Sequence, residues 1–172
     1  MDLNKQIKLS MLLALSVVLA LIESVIPFFN GSIPGLKLGL ANIVIVFILY
    51  IYSFKEALYV SVLRVFLVGI LRNGLFNHAF FFSLSGAIFS GVAMFLAKKI
   101  TKLSIVGVSI IGAVFHSIGQ VLILIVLLKA TNMIYYLPWL LLFAIPMGII
   151  VGLISKELIN YFKKWEVSDI NV

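Results

Sequence analysis

The chain of 172 residues is 63% hydrophobic and 11% charged, with a mean hydropathy of +1.25. A soluble domain of this size lacks the interior to hide that much apolar surface, so the composition specifies an integral membrane protein, read here as one domain over 1–172. The formal charge of +7 does not point to nucleic acid, because nearly all the lysines sit at the ends of apolar runs, and the absence of cysteine excludes disulfides, thiolate metal sites and a cysteine nucleophile.

Breaks in hydropathy predict six helices, over 7–28, 38–53, 56–72, 78–98, 103–129 and 133–162. The first is too long for a signal-peptide core and has no small-residue cleavage site, so it is expected to be a retained span. It carries Glu23 in its outer half and a four-residue repeat of small side chains, Ser16, Ala20 and Ser24. The connection "NGSIPG" is rich in turn formers. The second and third segments are short against the ~20 residues that a ~30 Å hydrocarbon core requires. Asn42 lies in the second, and Arg64 and Arg72 lie in the third, eight residues apart on roughly one face. The fourth repeats Ser83, Ala87 and Gly91, and the sixth repeats Ala144, Gly148 and Gly152 around Pro146, stripes that let backbones approach closely. The fifth, "GAVFHSIGQVLILIV", sets Gly112, His116 and Gln120 four residues apart in otherwise hydrocarbon-like sequence.

The charges give the topology. With the N-terminus inside, the inner side receives Lys5, Lys8, Lys55, Lys98, Lys99, Lys102, Lys156, Lys163 and Lys164, and the outer side only Lys37, Arg72 and Lys129. The positive-inside rule then places both termini in the cytoplasm. Phe28, Phe29, Tyr135, Tyr136 and Trp139 would form the outer aromatic belt, and Tyr161, Phe162 and Trp165 the inner one.

The remaining polar residues collect at one depth. Glu23, Asn42, Arg64, Arg72, His116 and Gln120 all map to the outer half or its loops. An arginine in mid-membrane costs about 2.5–3.5 kcal/mol on insertion scales, so it faces protein or a watery cavity. Its planar fork suits a carboxylate or phosphate. Two readings stay open for Arg64: contact with a ligand, or an internal ion pair with Glu23. Interhelical hydrogen bonds worth ~0.6 kcal/mol would equally account for His116 and Gln120 taken singly. An outward-facing polar cavity explains the asymmetry better than scattered bonds do. Arg64 and Arg72 would then meet an anion, with His116, Gln120 and Asn42 orienting it and Glu23 among the ligand-binding residues.

Several chemistries are missing. There is no P-loop for ATP. The six acids are scattered, so nothing resembles the paired carboxylates that hold magnesium against a diphosphate. His78 and His116 lack acidic or thiolate neighbours and make a poor metal site. The expectation is a protein that is not an enzyme and needs no cofactor or metal.

Two segments, "IPGLKLGLANIV" (Ile33 to Val44) and "GVSIIGAVFHSIGQ" (Gly107 to Gln120), with "SFKEAL" and the "IES" around Glu23, resemble the Gx transporter family. Its members are often named heptaprenyl diphosphate synthase component I. That family is similar to the substrate-binding S components of energy-coupling factor (ECF) transporters. The resemblance implies a six-helix, all-α, multi-pass bundle in a bacterial cell membrane, with cytoplasmic termini and an externally open pocket. It also implies a cap from the loop "NGSIPGLK", where Lys37 would meet the anion, and packing of Ser16, Ala20 and Ser24 against a membrane coupling subunit. Energy would come from partner ATPase subunits. The substrate would be a small anionic molecule, a flavin or other vitamin or a prenyl- or quinone-pathway compound. Two alternatives stand beside this one. The chain could be a noncatalytic membrane component of a prenyl diphosphate or quinone biosynthesis complex, using Lys98, Lys99 and Lys102, or a scaffold whose polar groups satisfy one another.

Overall fold

The computed structural model describes residues 3–25, 38–129 and 131–169. Among the described residues six α-helices follow one another: α1 (Leu3–Val25), α2 (Leu40–Ile51), α3 (Phe54–Val68), α4 (His78–Ile100), α5 (Ile105–Leu128) and α6 (Leu137–Asp169). Every predicted helix is present; the predicted end of the first, at 28, lies outside the described residues, and the sixth runs past 162 to Asp169. A π-helical turn, Gly69–Asn73, extends α3, and a 3₁₀ turn, Thr131–Tyr136, leads into α6. Among the described residues four helices, α1, α4, α5 and α6 with its leading turn, are long and apolar enough to cross a membrane. At ~1.5 Å per residue α2 measures only about 18 Å.

Local chemistry sets the ends. Asn77 accepts from the Phe80 amide at 2.8 Å to start α4, and Ser104 accepts from the Gly107 amide at 3.2 Å to start α5. Gly39 precedes α2 in the left-handed region, with φ 79°. Ser53 and Glu56 open α3 in the S-x-x-E arrangement, but here the hydroxyl donates to the carboxylate. Glu56 also accepts from Lys5 at 2.5 Å, joining the start of α1 to the start of α3.

The lysine-rich end of the bundle is apolar inside. α2 is its centre: Ala41 and the run Ile43–Leu49 are buried without a polar face. Leu9 of α1, Ala57 and Val60 of α3, Met94 and Ala97 of α4, Val108 of α5 and Ile159 of α6 close around it. Lipid is as apolar as leucine, so fit rather than water exclusion holds such helices together. Glycine supplies the fit between α5 and α6. A Cβ on Gly148 would stand 2.8 Å from the Ile110 Cα, and one on Gly152 would stand 2.7 Å from the Val106 Cα.

α2 runs alongside only the last part of α6. A Cβ on Gly39 would lie 3.7 Å from Val151, the Ser155 hydroxyl donates to the Ile43 carbonyl at 3.4 Å, and the Phe47 and Phe162 rings pack edge to face at 5.3 Å. Val151 is beside Gly152, which touches Val106 and Ser109 near the start of α5. The first turn of α2 therefore stands about level with Ser109. Beyond it α5 rises a further ~28 Å to Leu128, and α6 passes through Pro146 back to Leu137.

Candidate functional site

The polar groups gather where α2 begins. The first amides of any helix lack intrahelical partners, and in an apolar interior each must find another acceptor. Here α1 supplies it. The Glu23 carboxylate accepts from the Gly39 amide at 2.6 Å and from the Leu40 amide at 3.1 Å. A negative group there also meets the positive end of the helix dipole. Glu23 is thus the cap of a neighbouring helix.

One turn further on, Asn42 turns its side-chain oxygen to α3. Both terminal nitrogens of the Arg64 guanidinium donate to that one atom, at 3.2 and 3.3 Å. Arg64 is 6% exposed, so its charge is removed from solvent. The Glu23 carboxylate acts on it through space. Among the described residues, however, no carboxylate stands at ion-pair distance from Arg64; the ion pair present joins Lys5 to Glu56 at the opposite end. A neutral amide oxygen is what touches the cation, and it occupies a minority of the five N–H groups of the fork.

His116 and Gln120 form a second group on α5. Their side-chain nitrogens approach to 3.2 Å. Gln120 is buried, and it shares an inward stripe with buried Ser109. The imidazole lies against Gly86 of α4, where a Cβ would come within 2.8–3.0 Å of three ring atoms. Gly86 was not singled out by its sequence, yet only a residue without a side chain makes room for this ring. His116 is about 10 Å further along α5 than Ser109, beyond the first turn of α2.

Arg72 differs from the sequence expectation. It belongs to the π-helical turn, and that wider turn breaks the angular spacing that would align it with Arg64. Arg64 is buried and Arg72 is exposed, its guanidinium donating to the Ser24 carbonyl at 3.0 Å. It closes the carbonyl end of α1. Lys37, the rest of the "NGSIPGLK" connection, Phe28 and Phe29 lie outside the described residues.

The small-residue repeat of α1 faces inward at one position. Ser16 is fully buried, its hydroxyl donating to the Leu13 carbonyl at 2.8 Å, while Ala20 and Ser24 are half-buried. The outer face of α1 carries Ile7, Met11, Leu15, Val18 and Ile22 instead. At the lysine-rich end, Lys98 donates to the Leu49 carbonyl at 2.6 Å with its ammonium 4.6 Å from the Tyr50 ring centre, capping the other end of α2. Among the described residues no group of histidines and acids could hold a metal ion.

A family model described as heptaprenyl diphosphate synthase component I matches residues 12–158. The chain belongs to that family. The match runs from inside α1 to inside α6, so Glu23, Asn42, Arg64, His116 and Gln120 all fall within it. No curated protein and no solved structure matches the chain.

Proposed function

We propose that this family member is the substrate-binding membrane subunit of an ECF-type transporter, taking a small anionic molecule from the outer side. In this reading all six helices are spans of one domain in the cell membrane, the lysine-rich end and both termini face the cytoplasm, and the recess beyond the first turn of α2 opens outward. The observation that carries it is Arg64, a buried guanidinium held by a neutral amide. A cation kept in a membrane interior without a contacting carboxylate is the feature expected of a site completed by an incoming anion. Asn42 aims the fork, and His116 and Gln120, about 10 Å further along α5, would hydrogen-bond the remainder of the ligand. Arg72 and Lys37 would act at the mouth. Flavin-like, vitamin and prenyl- or quinone-pathway anions all satisfy this chemistry. Movement of the ligand would draw on a membrane coupling subunit and ATPase subunits.

The test is to purify the protein in mild detergent, denature it and identify the released small molecules by mass spectrometry, beside Arg64→Ala. A stoichiometric anion present in the wild type and missing from a folded Arg64→Ala variant supports the reading. Equal occupancy in both makes Arg64 a structural fastening and removes the centre of the site.

The family description favours a second reading, in which the chain is a noncatalytic membrane component of a prenyl diphosphate synthase. Exposed Lys98, Lys99 and Lys102 would then hold the isoprenoid diphosphate. Reversal of these three charges would abolish its function while reversal at Arg64 would not, the opposite of the transporter expectation.

A further inference from the structure

Glu23 was expected to touch the ligand. Its geometry gives it another part. A carboxylate accepting from two helix amides makes, at those amides, the contacts that a bound anion would make, and it acts through space on the buried Arg64. It comes from the chain itself, and it reaches the first turn of α2 from the last turn of α1, with Glu23 Oε1 and Oε2 each engaged by a different amide. Arg64, 6% exposed, converges on the same turn through Asn42.

Resting on the reading of this recess as an anion site, we infer that Glu23 is a built-in competitor: the incoming anion must displace its carboxylate from the Gly39 and Leu40 amides to reach Arg64. The charges decide why this matters. With Glu23 seated, the positive helix end and the guanidinium share one negative charge, and a second anion entering beside it meets like-charge repulsion in a medium that screens poorly. A ligand that only approaches Arg64 gains little. One that can take over the two amides as well as the guanidinium gains enough to move Glu23 aside. Glu23 is in this sense a specificity-determining residue. It raises the threshold for occupancy, so weakly coordinating anions such as chloride are turned away and multidentate oxyanions or carboxylates are admitted.

The alternative is that Glu23 is a permanent cap and the ligand sits on Arg64 above it. Inorganic sulfate, a multidentate oxyanion, separates the two. Thermal unfolding of the detergent-purified protein would be titrated with sodium sulfate against sodium chloride at matched ionic strength. The variants are wild type, Glu23→Gln, Arg64→Met and the double variant. Glutamine keeps one acceptor for the α2 amides while removing the charge. Methionine keeps the length of Arg64 without its donors, so the double variant subtracts the general stabilisation that sulfate gives any protein. The expected result is that Glu23→Gln binds sulfate several-fold more tightly than wild type, and that the gain vanishes in the double variant. Equal Arg64-dependent affinity in wild type and Glu23→Gln overturns the competitor while leaving the anion site standing. No Arg64-dependent response in any variant overturns both. If Glu23→Gln does not yield folded protein, Glu23→Asp withdraws the carboxylate by one methylene. It must shift affinity in the same direction, and an unchanged affinity sinks the inference.

Discussion

The two halves of this bundle are built from the same helices by different rules. Around the lysine-rich half of α2, Ile43–Leu49 are buried on every side, and α5 and α6 approach until glycine alone fits. Toward the other end the same helices turn Arg64, Asn42, His116 and Gln120 inward, with a carboxylate of α1 among them. Close packing leaves no volume to spare, so the first half tolerates change poorly. The second half buries a charge that a neutral amide holds. The contrast sets a close-packed half against a half that buries polar groups, within one set of helices.

The strongest attempt to break this division is Arg64→Ala. Binding of the co-purifying anion should weaken by about 2–5 kcal/mol, the range for truncating a buried charged contact. The unfolding midpoint should change little in Arg64→Met, which nearly keeps the length of the side chain while removing a buried charge that no carboxylate contacts. A large fall in midpoint together with retained ligand would reverse the roles assigned to the halves. Next comes Gly152→Ala. The added methyl meets the backbone of Val106, which cannot move aside, so α5 and α6 must separate at a cost of about 1–3 kcal/mol in unfolding, with anion affinity unchanged.

Gly86→Ala sharpens the boundary. Its methyl meets a side chain, the His116 imidazole. The expected loss is about 1 kcal/mol, and it should disappear when His116 is alanine. A double-mutant cycle of unfolding midpoints measures that coupling, and strict additivity would mean the ring does not rest on Gly86. Smallest is Lys5→Ala. It breaks the pair with Glu56 at the lysine-rich rim, where Lys5 is 36% exposed, and should cost about 0.2–1 kcal/mol, shrinking as salt is raised.

Much of the architecture could be read from hydropathy. Each apolar run became a helix, and the places of Arg64 on α3 and His116 on α5 followed from counting along those runs. What sequence periodicity misses is lateral. The cap role of Glu23 depends on α2 starting beside α1, sixteen residues away across a connection, and nothing in either helix states that distance. The exposure of Arg72 depends on a π-helical turn, which has no propensity signature comparable to proline or glycine. The burial of Ser16 depends on which face of α1 meets α2 and α3, and small residues are equally suited to either choice. Gly86 was hidden for a related reason. Its meaning lies in a ring thirty residues downstream, and its own helix does not require glycine there.

One feature bears on how the chain is made. α2 is short, and its two ends are closed by opposite charges from elsewhere, the Glu23 carboxylate at its amides and the Lys98 ammonium at the Leu49 carbonyl. Glu23 is synthesised before α2, but Lys98 comes nearly fifty residues after Leu49. In a nascent chain that has released α1, α2 and α3, the Tyr52 amide already caps the Ile48 carbonyl, but the Leu49 carbonyl lacks the ammonium that α4 brings. Closure of the Leu49 carbonyl by the Lys98 ammonium is on this account a late event, which waits on the synthesis of α4.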